Sequence, residues 1–312
     1  MKFSKSILLT LALIASSAIN AQNIDYSIFD HALNFFVVND TGRNGYYDQK
    51  TIAELMGNMA DNGASPEFIV ATGDIHHFDG VESTSDPLWM TNYELIYSHP
   101  ELMVPWYAML GNHEYRGNTQ AVIDYSKVSR RWRMPDRYYT LAFSDKGTSV
   151  RIVCLDTTPL INRYREESNQ YPDAVKQDPE KQLQWLDQVL AEASEDWVIV
   201  FGHHPIYAQT SKDDSERLDL QARLEPIFKR HKAPIYINGH IHNFQHISLE
   251  GSPTQFVTNS AGALARKVKA IKGTVFASPE PGFSIITATK KSLKLRMIDS
   301  KGNIIHTVSL SK

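Results

Sequence analysis

Five short polar clusters, each set directly after an apolar run, constrain this chain more than any other feature. They are Asn39-Asp40-Thr41-Gly42, Gly73-Asp74-Ile75-His76-His77, Gly111-Asn112-His113-Glu114, Gly202-His203-His204-Pro205 and Gly239-His240-Ile241-His242-Asn243. The runs before them are Phe35 to Val38, Phe68 to Ala71, Val104 to Leu110, Val198 to Phe201 and Ile235 to Ile237, with a further run at Val150 to Leu155. Their shortness and β-branched content predict buried strands. In open α/β sheets, functional groups gather beyond the carboxyl ends of strands, so clusters far apart in sequence can converge in space. Carboxylate, amide oxygen and imidazole suit Zn, Mn or Fe better than Cu(I). Glycine beside a ligand lets the backbone turn sharply there. Each element alone is weak, because an Asp after a strand is commonly a cap or turn residue. The ordered set of five, four of them opening on glycine, carries the reading.

Helical patterns lie between the strands at Thr51 to Asn62, Pro179 to Ala193 and Glu216 to Arg230. In the second, Pro179 fits a first helical turn and Leu183, Leu186, Val189 and Leu190 form an apolar stripe. The third is expected to kink at Pro226. Alternating strands and helices predict an α/β architecture. The tail reads as successive strands at Gln255 to Thr258, Phe283 to Thr289, Leu293 to Ile298 and Ile304 to Leu310, with a turn at Lys301-Gly302. No internal repeat or linker divides the chain, so residues 22–312 are expected to form a single domain.

Residues 1–21 read differently. Lys2 and Lys5 precede an apolar run from Ile7 to Ala18, and small residues follow to Ala21, which is the pattern of a cleaved secretory signal peptide. The run is too short for a membrane span, which needs about 20 residues. Export to a bacterial periplasm or to the medium is therefore expected. The lone cysteine, Cys154, lies within Val153-Cys154-Leu155 and reads as a small core residue. A formal net charge of −3 leaves no broad basic face for nucleic acid. A monomer acting on a small molecule is expected.

The order D…GD…GNHE…GH…GHxH resembles the calcineurin-like metallophosphoesterases and, within them, the small purple acid phosphatases of the tartrate-resistant type. The resemblance covers nearly the whole mature chain, including Asn259-Ser260-Ala261-Gly262 in the tail. It implies a four-layer α/β (α+β) fold, with two mixed β-sheets packed as a sandwich, flanked by helices, and a site at one edge. It implies two metal ions per chain, of Fe, Zn or Mn. Asp40 and His242 would bind the first, Asp74 would bridge both, and Asn112, His203 and His240 would bind the second. His113 would stand beside the phosphate as the catalytic donor, with Asn112 and His204 also meeting the substrate. In the second motif the family has a metal-binding tyrosine where this chain has His77. Imidazole is itself a competent ligand, so His77 is expected to replace the tyrosine, with His76 as its competitor.

The reaction so implied is in-line attack on phosphorus by hydroxide, formed from water whose pKa a cation lowers. Its expected substrate is a phosphate monoester. A phosphodiesterase or pyrophosphatase would use the same ligands, and a non-catalytic scaffold would have lost some of them. Glu114 is expected to orient His113, and His204 and Tyr207 to line the pocket mouth. Arg43, Tyr46, Tyr47 and the stretches Arg163 to Tyr171 and Arg266 to Lys272 read as solvated loops, and Ala208 to Ser215 as a polar, mobile one.

Overall fold

The computed structural model describes residues 24–312, so the expected leader lies outside the described residues. Among the described residues fourteen strands form two seven-stranded sheets. Strands β1 (Leu33–Val38), β2 (Phe68–Ala71), β3 (Trp106–Ala108) and β4 (Trp132–Arg133) belong to the first sheet. Strands β5 (Tyr139–Asp145), β6 (Thr148–Cys154), β7 (Trp197–Phe201), β8 (Ile235–Asn238), β9 (Phe244–Ser248), β10 (Gln255–Thr258) and β11 (Thr274–Ser278) build the second. Strands β12 (Gly282–Ala288), β13 (Ser292–Asp299) and β14 (Ile304–Ser311) return to the first. The orders are β14-β13-β12-β1-β2-β3-β4 and β11-β9-β10-β8-β7-β6-β5.

Both sheets are mixed. The run β1-β2-β3-β4 is parallel, as is the run β6-β7-β8-β10, and the remaining neighbours are antiparallel. Parallel strands buried on both faces account for the nearly unbroken apolar runs of the sequence. The helices are α1 (Gln49–Met59), α2 (Thr119–Asp124), α3 (Asn162–Glu166), α4 (Pro179–Glu192) and α5 (Ser215–His231). Asp178 caps α4 by accepting from the amides of Glu180 and Lys181 at 3.0 and 3.1 Å, which satisfies two of the donors a helix start leaves open.

Aromatic rings join the sheets. Phe68 of the first sheet stacks on Phe35, 4.6 Å away, and on Phe143 of the second, 4.1 Å away. The buried rings of Phe35 and Phe68 each contribute on the order of 2–3 kcal/mol. Cys154 is buried and free, as read from sequence. Helix α5 continues through Pro226. That residue sits on the exposed side, where a freed carbonyl can turn to water. Four strands escaped the sequence reading: β4, β5, β9 and β11. Among the described residues no helix is long and apolar enough to cross a membrane.

Candidate metal centre

The carboxyl ends of β1, β2 and β3 in one sheet and of β7 and β8 in the other meet at one edge of the sandwich. Backbone bonds lock them together there: the Asp40 amide donates to the Gly73 carbonyl at 3.0 Å and the Gly239 amide to the His203 carbonyl at 3.0 Å. The His240 amide crosses between sheets to Asp40 Oδ2 at 2.7 Å. Two glycines have a steric reason to be where they are. Gly73 adopts φ +94°, and a Cβ on Gly111 would lie 2.2 Å from Asp74 Oδ1.

Asp40, Asp74, His240 and His242 all adopt left-handed backbone conformations, with φ of 51°, 54°, 73° and 58°. Non-glycine residues rarely do so, and such strain concentrates at functional sites. All four side chains are buried and converge. His242 Nε2 lies 3.1 Å from Asp40 Oδ1. His203 Nε2 lies 3.2 Å from Asp74 Oδ2 and 3.2 Å from His240 Nδ1. His77 Nε2 sits 3.8 Å from both Asp40 Oδ1 and Asp74 Oδ2. Within each of the groups Asp40/His77/His242, Asp74/His77/His113 and Asp40/Asp74/His203, the facing atoms lie within 4.8 Å of one another. His76 points away, edge-on to Trp89, so the structure brings His77 and not its neighbour into the cluster.

The imidazoles share a pattern. His203 Nδ1 bonds the Thr72 carbonyl at 2.9 Å, and His242 Nδ1 the Leu264 carbonyl at 2.8 Å. His240 Nε2 bonds Glu216 Oε2 at 3.0 Å. Each oxygen acceptor holds one ring nitrogen as N–H, leaving the other lone pair aimed at the centre, as in metal sites. Several buried donors there lack any hydrogen-bond partner among the described residues: Asp40 Oδ1, Asn112 Oδ1 and both nitrogens of His77. Buried polar atoms are rarely left so, and oxygen and imidazole donors of this kind fit Zn, Mn or Fe. Without such ions the carboxylates lean on protons. Burial works against the charge on His203, yet Asp74 beside it raises that imidazole to about 9. Metal binding would displace such a proton.

Several expectations need correction. Glu114 does not orient His113. Fully buried, it accepts from the amides of Gly111, Asp74 and His76 at 2.7, 2.9 and 3.0 Å, tying two site loops together. His113 is instead held through Nδ1 by the Phe78 carbonyl at 2.8 Å. Its side chain is 20% exposed, whereas those of His203, His240 and His242 are at most 3% exposed. His204 does not line the mouth; it is buried behind the cluster, bonded to Thr157 Oγ1 at 2.9 Å and Tyr164 hydroxyl at 3.1 Å. Tyr207 packs on Phe256 at 4.7 Å. Tyr164 and Tyr171 are buried rather than solvated, because Tyr164 donates to Glu216 Oε1 at 2.8 Å from behind the centre. Arg43 is half-buried, where the carboxylates of Asp40 and Asp74 counter the burial of its charge. Lys212, from the loop read as mobile, lies beside His240 and Glu216.

Glu216 and Lys212 are the residues that sequence reasoning missed. Nothing but position in the first turn of a helix marked the former. Glu216→Gln is expected to weaken metal binding about 10–100-fold, the usual cost of losing a carboxylate behind a ligating histidine, as measured by competition with a chromogenic chelator.

Residues 33–244 match the calcineurin-like phosphoesterase family. Purple acid phosphatase 4 of Arabidopsis thaliana is 32% identical over 299 residues, spanning 91% of this chain and 85% of that protein. Tartrate-resistant acid phosphatase type 5 of Sus scrofa is 32% identical over 268 residues, spanning 79% of this chain and 76% of that one. Among solved structures, GAP50, the anchor in the inner membrane complex of Plasmodium, shares the fold with a TM-score of 0.76 at 23% identity, covering 90% of this chain and 89% of that chain. The purple acid phosphatase PPD1 of yellow lupin superposes with a TM-score of 0.61 at 15% identity, covering 90% and 54%.

Proposed function

This chain belongs to the calcineurin-like phosphoesterases and is akin to their purple acid phosphatases, and from that premise we propose that it is an exported, binuclear hydrolase of phosphate monoesters. The observation that carries the reading is the convergence of six donors from four loops, Asp40, Asp74, His77, His203, His240 and His242, with Asn112 Oδ1 buried and unpartnered and one histidine at the solvent edge. Asp40, His77 and His242 would hold one ion, Asn112, His203 and His240 the other, with Asp74 between them. When bound, the ions supply Lewis acidity towards the phosphate oxygens and lower the pKa of water so that hydroxide is available near neutral pH.

The chain's own residues do the rest. His113 is the most exposed member of the cluster. Its Nδ1–H is fixed on the Phe78 carbonyl, so Nε2 faces inward, 3.9 Å from Asp74 Oδ2. Protonated there, it can donate to a phosphate oxygen or to the departing alcohol. Lys212 and Arg43 add positive charge beside the carboxylates and favour an anionic substrate. Thr157 Oγ1 accepts from the amides of His203 and His204 at 3.2 and 3.1 Å, which stiffens the loop that presents His203. Acid-phosphatase relatives support the monoester preference, and the apolar leader read in the sequence supports export.

The test is hydrolysis of a chromogenic monoester beside its diester, by protein stripped of metal and reloaded separately with Fe, Zn or Mn. Metal-restored monoester turnover is the expected result. Preference for the diester would keep the centre and replace the phosphatase by a phosphodiesterase. His113→Ala should lower kcat about 10²- to 10³-fold, the range of a lost general acid, with bound metal unchanged by elemental analysis.

A further inference from the structure

Strand β9 carries a histidine that the centre does not use. His246, in the second sheet, faces His306 on β14 of the first. His246 Nδ1 and His306 Nε2 lie 2.9 Å apart, with the ring centres 5.1 Å apart. On its other side His246 Nε2 meets Gln255 Oε1 of β10 at 2.8 Å. Phe276 of β11 stands opposite His246 in the strand register. It stacks flat on the His306 ring, 4.5 Å away with the planes 1° apart. His246 is buried and His306 half-buried, so the pair is open to water on the side of His306.

Each ring is held in place. Gln255 Oε1 can only accept, so His246 carries its proton on Nε2 and turns the Nδ1 lone pair towards His306. An oxygen acceptor behind the far nitrogen is the usual setting of a ligating histidine. Phe276 fixes the plane of the second ring. Among the described residues neither imidazole is paired with a carboxylate, ammonium or guanidinium group. Burial and the neighbouring imidazole push His306 down to about 4, and burial lowers His246 against the pull of Gln255. Both rings are therefore neutral near pH 7, with lone pairs to offer. The spacing is also specific. An ion holding two imidazole nitrogens at right angles, about 2.0–2.1 Å from each, sets them about 2.8–3.0 Å apart, whereas a linear two-coordinate ion needs about 4 Å.

We infer that His246 Nδ1 and His306 Nε2 form a further metal site, apart from the catalytic centre, for a divalent ion of square-planar or octahedral preference, copper(II) above all. Nitrogen ligands with cis geometry suit copper(II) and nickel(II), and copper(II) binds tightest in the general order of divalent affinities. Water fills the remaining positions. The proton that His306 shares with His246 moves to His306 Nδ1, so both rings stay neutral and no proton is released. Strand β14 has only β13 as a neighbour in its own sheet, and the ion would tie it to the opposite sheet. The inference does not depend on the phosphatase reading.

The experiment adds copper(II) to the full protein loaded with zinc, which is silent in electron paramagnetic resonance. One copper ion per chain should bind beyond the zinc, show splitting from two nitrogens, and raise the melting temperature. His306→Asn should abolish the two-nitrogen signal and the melting shift. Gln255→Leu keeps both ligands but frees the His246 tautomer, and should weaken copper binding about tenfold. Gln255→Glu should tighten it. None of these positions touches the catalytic centre, so zinc content and ester hydrolysis should stay at the parent level. A zinc-loaded protein that takes up no copper would overturn the inference and leave the pair as a hydrogen bond between sheets. A two-nitrogen signal that survives His306→Asn would overturn it too, placing the copper elsewhere. Should His306→Asn fail to fold, Gln255→Leu decides: copper affinity unchanged in that variant would also count against the site.

Discussion

Asp74→Asn is expected to abolish metal-dependent hydrolysis of phosphate esters, with kcat/KM falling roughly 10³-fold or more, a loss of about 4 kcal/mol of transition-state stabilisation. Asp74, like Asp40, is shared by two of the convergent groups, and it alone faces both His203 and His113 within them. Its Oδ2 lies 3.2 Å from His203 Nε2 on one side and 3.8 Å from His77 Nε2 on the other. Asparagine keeps the size and an oxygen but removes the charge that would hold two cations close to each other. The same substitution should also weaken the metal-free fold. Burial works against the Asp74 charge, yet His203, His113 and His77 around it hold its carboxyl well below the usual range. Removing the anion leaves those imidazoles without their counter-charge, so the metal-free variant should melt below the metal-free parent. Retained turnover in the metal-loaded variant would remove Asp74 from the centre.

Stability should depend on pH through a group away from the centre. Asp156, just past β6, is fully buried. Burial pushes its carboxyl up to about 7, against the lowering pull of Arg137 and of the Tyr115 hydroxyl bonded to its Oδ2. In the unfolded chain an aspartate titrates near ~3.9. Between about pH 4 and 7 the folded protein thus holds a proton that the unfolded chain releases. The stabilisation this gives is complete below the unfolded value and is lost as pH rises through the folded one. A shift of that size corresponds to on the order of 2–4 kcal/mol. Asp156→Asn cannot titrate. The difference between parent and variant, measured by denaturant unfolding at pH 5 and pH 8, should therefore change by that amount, with the parent losing ground at pH 8. A difference that stays constant across this range would show that Asp156 is ionised throughout.

The sequence made some of this legible and hid the rest for physical reasons. Strands buried on both faces, such as β1, β2 and β7, are written as unbroken apolar runs, and their polar ends mark where ligands emerge. The edge strand β5 carries the weaker signal of alternation: Tyr139, Leu141 and Phe143 turn one way, then Lys146 and Gly147 form a tight turn with φ of 47° and 74°. That signal was present and unread. Strand β9 begins at Phe244, directly behind His242 and Asn243, so the ligand motif masked it. The residues that hold the histidines in place were legible nowhere. Thr72, Phe78 and Leu264 act through backbone carbonyls, which any residue type supplies. Glu216 meets His240 only because α5 runs past the end of β8, and no local pattern records that packing.

The donors are drawn from both halves of the chain, and Asp40 meets His240 across a separation of 200 positions. No short segment of the polypeptide contains the centre, and no local folding event can create it. During synthesis the first sheet lacks three of its strands until the C-terminal tail arrives, and the histidines of the fifth cluster come late. Tight uptake of ions is therefore a report on completed assembly. A chain caught between ribosome and native state offers scattered histidines but no cage, so it should neither sequester metal nor carry out premature chemistry.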